Sequence, residues 1–216
     1  MVREALVYAV GVALSPVAIA ATLLLLTCRR AVANAFSFLI GWTLGVALAI
    51  FVLVVLVNST GLTGSDPLRM AVAELVIGLG FLVAALAVWR QRHRSSIDTP
   101  PWVAAVDSFT TVRSAGLGVV LSGANPKVVA LSLGAALSLA QAEANAAVTS
   151  EAIVLYCAIG TLGVLTPLSV YLALPGHAPS WLGRLRVFLS RYETAILVVV
   201  GLLIGATFVT DGLDSL

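Results

Sequence analysis

The chain has 216 residues, of which 60% are hydrophobic and 10% charged, and its mean hydropathy is +1.08. A soluble domain carries about 25% charged residues, so a water-bathed globular fold is excluded and lipid is the expected solvent. The net charge of +2 comes with no basic run, which excludes a nucleic-acid docking arm.

Roughly 20 apolar residues span the hydrocarbon core, and six windows qualify in chain order. The first covers about 5–28. Its apolar stretch, Val7 to Cys28, outlasts the roughly 7–15 residues of a signal-peptide core and runs into Arg29 and Arg30, so it reads as a retained helix. The second window, about 34–57, carries Gly41 and Gly45 in a small-xxx-small pattern that suits close helix packing. The third covers about 70–89. The fourth, about 115–140, is the least apolar, with Ser122, Asn125 and Lys127 inside it. The fifth, about 150–174, includes Pro167 after Thr166, a kink signal. The sixth, about 193–211, includes Gly201 and Gly205. The expected fold class is an all-α polytopic membrane protein of six transmembrane helices, with 1–216 as a single transmembrane domain.

Basic residues set the expected orientation. Arg29 and Arg30 lie in the first loop. Arg90, Arg92, Arg94 and Arg113 lie in the third, and Arg184, Arg186 and Arg191 in the fifth. The opposite side has only Arg3 and Arg69, with Glu143, Glu151, Asp211 and Asp214. Odd-numbered loops are therefore expected in the cytoplasm and both termini outside. In the cytoplasmic connection at about 93–112, Trp102, Val106 and Phe109 fall at helical spacing. Trp181, Leu185, Phe188 and Leu189 do the same before the sixth window, and both stretches suit interfacial helices. Trp42, Trp89, Trp102 and Trp181 read as anchors or packing groups, His93 and His177 as solvated loop residues, and Cys28 and Cys157 as buried thiols.

Self-similarity runs through the chain. Leu14-Ser15-Pro16 in the first window matches Ala124-Asn125-Pro126 in the fourth, 110 residues on. Thr43-Leu44-Gly45-Val46 in the second matches Thr161-Leu162-Gly163-Val164 in the fifth, 118 residues on. Glu74 and Glu193 lie near the starts of the third and sixth. Three helices per unit is an odd number, so the second unit must enter the membrane from the opposite side, as the arginines also require. Two inverted three-helix repeats, about 5–92 and 113–212, are expected. That is a transporter architecture with its site near the midplane, where discontinuous helices meet.

Pro16 and Pro126 sit near the middles of their windows. Each removes a backbone donor, and in hydrocarbon the freed group must find a partner. Ser15 and Asn125 precede them and are able to supply one. Lys127 is the only lysine in the chain. At mid-membrane it costs roughly 2.5–3.5 kcal/mol on insertion scales, and unlike arginine it can lose its proton when desolvated. Ser15, Pro16, Asn125, Pro126 and Lys127 are the candidate substrate-binding or coupling residues. Glu74 and Glu193 are read either as solvated at headgroup level or as a proton relay. No catalytic constellation, metal-ligand cluster or phosphate loop is present, so neither an enzyme nor a cofactor is expected.

Leu14-Ser15-Pro16, Arg29-Arg30, Phe38-Leu39-Ile40-Gly41-Trp42-Thr43-Leu44-Gly45 and Asn125-Pro126-Lys127 together resemble the lysine exporter superfamily. Within it the chain is most similar to the mycobacterial sulfolipid-1-addressing or peptidoglycolipid-addressing group, over nearly its whole length. Amino-acid exporters of the superfamily usually carry Pro-Gly-Pro in the first helix, whereas Pro16 is followed here by Val17-Ala18. The resemblance implies export of envelope glycolipids or their precursors across the plasma membrane of an actinobacterium. The alternatives are an exporter of amino acids or similar small solutes, and a non-transporting scaffold for lipid-export machinery. Membrane lipids, an amphiphilic substrate, larger export machinery and a second copy in a homodimer are the compatible partners.

Overall fold

The computed structural model describes residues 2–60, 67–91, 109–142 and 145–173, and near the C-terminus 195, 198–199, 201–203, 205–210 and 212–213. Every regular element among them is helical: α1 (Val2–Ala13), α2 (Pro16–Leu25), α3 (Ala31–Thr60), α4 (Pro67–Gln91), α5 (Thr111–Gly123), α6 (Pro126–Gln141), α7 (Ala146–Ala173) and α8 (Gly201–Thr210). Helix is the form that apolar chains take in lipid, because it pairs every backbone group within the segment. By length and composition α3 and α7 are each able to cross a membrane. Among the described residues the number rises to four if the bent pairs α1–α2 and α5–α6 each count as one span. The sequence windows for the third and sixth spans fall on α4 and α8.

The two prolines end one helix and begin the next. A proline disfavours helical backbone in the residue before it, and both preceding residues are extended, Ser15 at φ −86° and ψ 105° and Asn125 at φ −79° and ψ 115°. Each proline then takes the first helical turn, where its missing N–H costs nothing. The axes bend by 42° between α1 and α2 and by 58° between α5 and α6. Pro167 behaves differently: α7 runs through it without a break. The interfacial-helix expectations for the stretches around Trp102 and Trp181, and the expectations for His93 and His177, lie outside the described residues. Phe109 lies just ahead of α5, and its carbonyl accepts a hydrogen bond from Asn34 Nδ2 of α3 at 3.0 Å.

The chain divides into two compact units, Met1–Val57 with Thr99–Val187, and Asn58–Asp98 with Phe188–Leu216. In the first unit α1 packs against α6 and α7, and α2 packs against α7. Helix α5 lies on α3 through backbone-close contacts. A Cβ on Gly118 would strike the Phe38 carbonyl and the Trp42 amide, and one on Gly45 would strike Ser122 Oγ. On the other flank, a Cβ on Gly163 of α7 would overlap the Ala13 carbonyl at the end of α1. Small residues that admit a neighbouring backbone are the usual glue of membrane helices, since lipid offers no hydrophobic drive for their association. Trp42, Tyr156, Phe38, Leu131 and Ile50 are among the largest side chains fully buried in this unit. In the second unit α4 and α8 meet at Gly78 and Gly205, where a Cβ on Gly205 would come within 3.0 Å of the Gly78 carbonyl. Gly205 thus packs against a glycine that the sequence pattern did not single out. Ala85, Leu86, Trp89, Val198 and Leu202 line an apolar cleft of about 280 Å³ in the same unit.

Candidate functional site

The two helix breaks share one hydrogen-bonding pattern. At the first, the Leu14 amide donates to Val10 at 3.0 Å and the Ile19 amide to Ser15 at 3.1 Å. At the second, the Ala124 amide donates to Val120 at 2.9 Å and the Val129 amide to Asn125 at 3.0 Å. The caps differ. Asn125 accepts the Lys127 amide on its Oδ1 at 3.0 Å and so satisfies an orphan donor of α6. Ser15 makes no such cap on α2, although it and Pro16 are buried. The sequence expectation that both small polar residues bind freed backbone holds for Asn125 and not for Ser15.

Lys127 joins the two breaks. Its Nζ donates to the Leu14 carbonyl at 3.1 Å, across 113 residues of chain. That oxygen stands where α1 stops, two residues short of a proline, so the lysine supplies from α6 a donor at the point where the backbone ladder is interrupted. The side chain is half-buried, and its bonded partner is a neutral carbonyl. No carboxylate among the described residues forms an ion pair with this ammonium. The bond to Leu14 uses one of its N–H donors and leaves others for a further acceptor.

Behind the breaks lies a polar seam that sequence reasoning missed. Thr43 Oγ1 and Thr161 Oγ1 sit 3.1 Å apart, and Trp42 Nε1 donates to the Gly160 carbonyl at 3.2 Å; both pairs are 118 residues apart in the chain. Thr43 and Thr161 also bond the carbonyls four residues back, Leu39 at 2.8 Å and Cys157 at 2.7 Å. Ser132 Oγ and Tyr156 OH lie 3.0 Å apart in the buried α6–α7 contact. The Thr-Leu-Gly-Val match already named Thr43 and Thr161 as corresponding positions. It could not say that corresponding positions touch. Trp42 is 1% exposed, so it is a packing and hydrogen-bonding group and not an interfacial anchor. Cys28 and Cys157 are buried and form no disulfide. The side chain of Glu74 and all of Glu193 lie outside the described residues. Among the described residues no cluster of His, Cys, Asp or Glu is arranged to hold a metal ion.

The family model of Sap, the sulfolipid-1-addressing protein, matches residues 5–214, which takes in both breaks, the lysine and the seam. The chain belongs to the sulfolipid-1-addressing protein family. A relative in Mycobacterium tuberculosis, named sulfolipid-1 exporter Sap, is 29% identical over 246 aligned positions, covering 98% of this chain and 98% of the relative. No solved structure matches the chain. As a member of this family the chain carries its paired breaks and its lysine inside the matched region.

Proposed function

We propose that this protein is a plasma-membrane exporter of cell-envelope lipids or their precursors. In this reading six spans form two inverted three-helix repeats, with both termini outside, and the paired breaks hold the polar part of the substrate near the midplane. The observation that carries it is the Lys127 ammonium, set between the interrupted helices and bound to a neutral carbonyl. No carboxylate among the described residues pairs with it; a charge at membrane depth is costly, and such residues mark substrate or ion pathways. Ser15, Pro16, Asn125 and Pro126 shape the interruption, and Lys127 attracts an anionic headgroup into it. Aliphatic and small residues around the breaks tolerate the acyl part. Lipid as the cargo is supported by the family and by the name of the mycobacterial relative.

The test is a deletion strain complemented with the wild-type gene. Loss of a surface lipid, its intracellular build-up and unchanged amino-acid secretion are the expected result. Unchanged surface lipids with altered amino-acid secretion would favour a solute exporter. Purified protein in liposomes separates both from a scaffold, since gradient-dependent movement of the accumulated lipid requires a carrier.

A further inference from the structure

The repeats place α1 opposite α5 and α2 opposite α6 as corresponding halves of their spans. The contact of α1 with α6 therefore corresponds to that of α5 with α2. These two interfaces are packed very differently. Helix α1 lies closely along α6, with the Leu131 side chain 3.1 Å from where a Gly11 Cβ would stand and the Lys127 bond to Leu14 at the inner end. Helices α2 and α5 touch at only a few residues. The contrast is confined to this pair of interfaces: Gly163 of α7 lies against the Ala13 carbonyl of α1, and the matching Gly45 of α3 lies just as closely against Ser122 and Val119 of α5.

Because α1 and α6 lie on one side of the breaks and α2 and α5 on the other, one side of the pair is closed and the other open. We propose that the structure is one access state of the carrier, closed along α1–α6 and open along α2–α5, and that transport exchanges the two packings. This rests on the inverted-repeat reading above. The Thr43–Thr161 and Trp42–Gly160 pairs, each joining corresponding positions, mark the axis between the repeats, where contacts survive the exchange. The lysine bond lies off that axis and belongs to one state only. Its counterpart would join residue 17 to the Ala124 carbonyl, and residue 17 is a valine with no donor. Lys127 thus favours the α1–α6-closed state, and opening that side frees its ammonium. With the first helix entering from outside, the closed side is external and the open side cytoplasmic.

The full chain carrying Cys28→Ser and Cys157→Ser tests this with two cysteine pairs and a short bifunctional methanethiosulfonate in membranes. The pair Gly11→Cys with Leu131→Cys should cross-link readily. The corresponding pair, Ala21→Cys with Leu121→Cys, should cross-link at least several-fold less. Moving the amine by combining Val17→Lys with Lys127→Val should reverse that ranking. Equal yields from the two pairs would overturn the proposal, as would an unchanged ranking in a swapped variant that inserts normally. Should the swap fail to insert, a single Gly123→Cys in the same background decides. Labelling by a membrane-impermeant maleimide from the cytoplasmic side alone is the expected result. Labelling from the outside alone keeps the one-sided opening and rejects the orientation under Proposed function. Labelling from both sides or from neither rejects the proposal itself.

Discussion

Lys127 carries its charge on the second residue of α6, where the Asn125 cap and the proline before it hold the stem beside the end of α1. Replacing it with alanine removes a residue that costs roughly 2.5–3.5 kcal/mol at mid-membrane. Lys127→Ala is therefore expected to insert as well as wild type or better, and to abolish export. Surface-lipid analysis with a membrane-fraction immunoblot checks both halves, and normal export by a well-inserted variant removes the lysine from the site. Gly163 offers a contrasting single-residue test. A side chain there overlaps the Ala13 carbonyl, a backbone atom that cannot turn aside. Gly163→Val should cost about 1–3 kcal/mol, as overpacking does, and lower the melting temperature in detergent. The open Gly116, where a Cβ meets nothing within 4 Å, should accept Ala with little change.

At the scale of the elements, the two breaks have the same backbone and different support. Asn125 caps its helix and Ser15 does not. Asn125→Ala is expected to lose about 0.5–2 kcal/mol, the ordinary value of an N-cap, while Ser15→Ala forfeits no cap bond. Thermal unfolding of the two variants in one detergent would show the larger shift for Asn125→Ala, and equal shifts would contradict the geometry. Both breaks were legible in the sequence, because a proline after a small polar residue in mid-span removes a backbone donor and disfavours helix in the residue before it. Pro167 follows Thr166 and yet leaves α7 unbroken. Dipeptide chemistry thus marked where a helix is able to stop, and the tertiary contacts of α7, where Gly160 and Gly163 admit neighbours, accompany its continuity.

For the molecule as a whole, the arginine distribution makes a prediction of its own. Reporter fusions at Gly64 and Gln141 are expected to read as external, and those at Ser95 and Gly183 as cytoplasmic. The reverse pattern would turn the protein over, and would exchange the sides on which α1–α6 and α2–α5 lie without altering which helices pack. The grouping of α4 with α8 apart from the first unit was not visible in the repeat pattern, which divides the chain in the middle. Each compact unit instead draws one part from either half of the sequence. Contacts between distant segments decide such groupings, and they leave no periodic trace.

The amino-acid sequence by itself determined the solvent, the helical class, the positions of the two breaks and the solitary lysine. These follow from hydropathy, from the missing proline donor and from residue type, all local properties of the chain. Only the tertiary structure decided that the Lys127 amine reaches the Leu14 carbonyl, that Thr43 meets Thr161, and that α1 packs along α6 while α2 meets α5 at only a few residues. Those contacts join residues more than a hundred positions apart, and their selection depends on which helix surfaces are small enough to let two backbones meet.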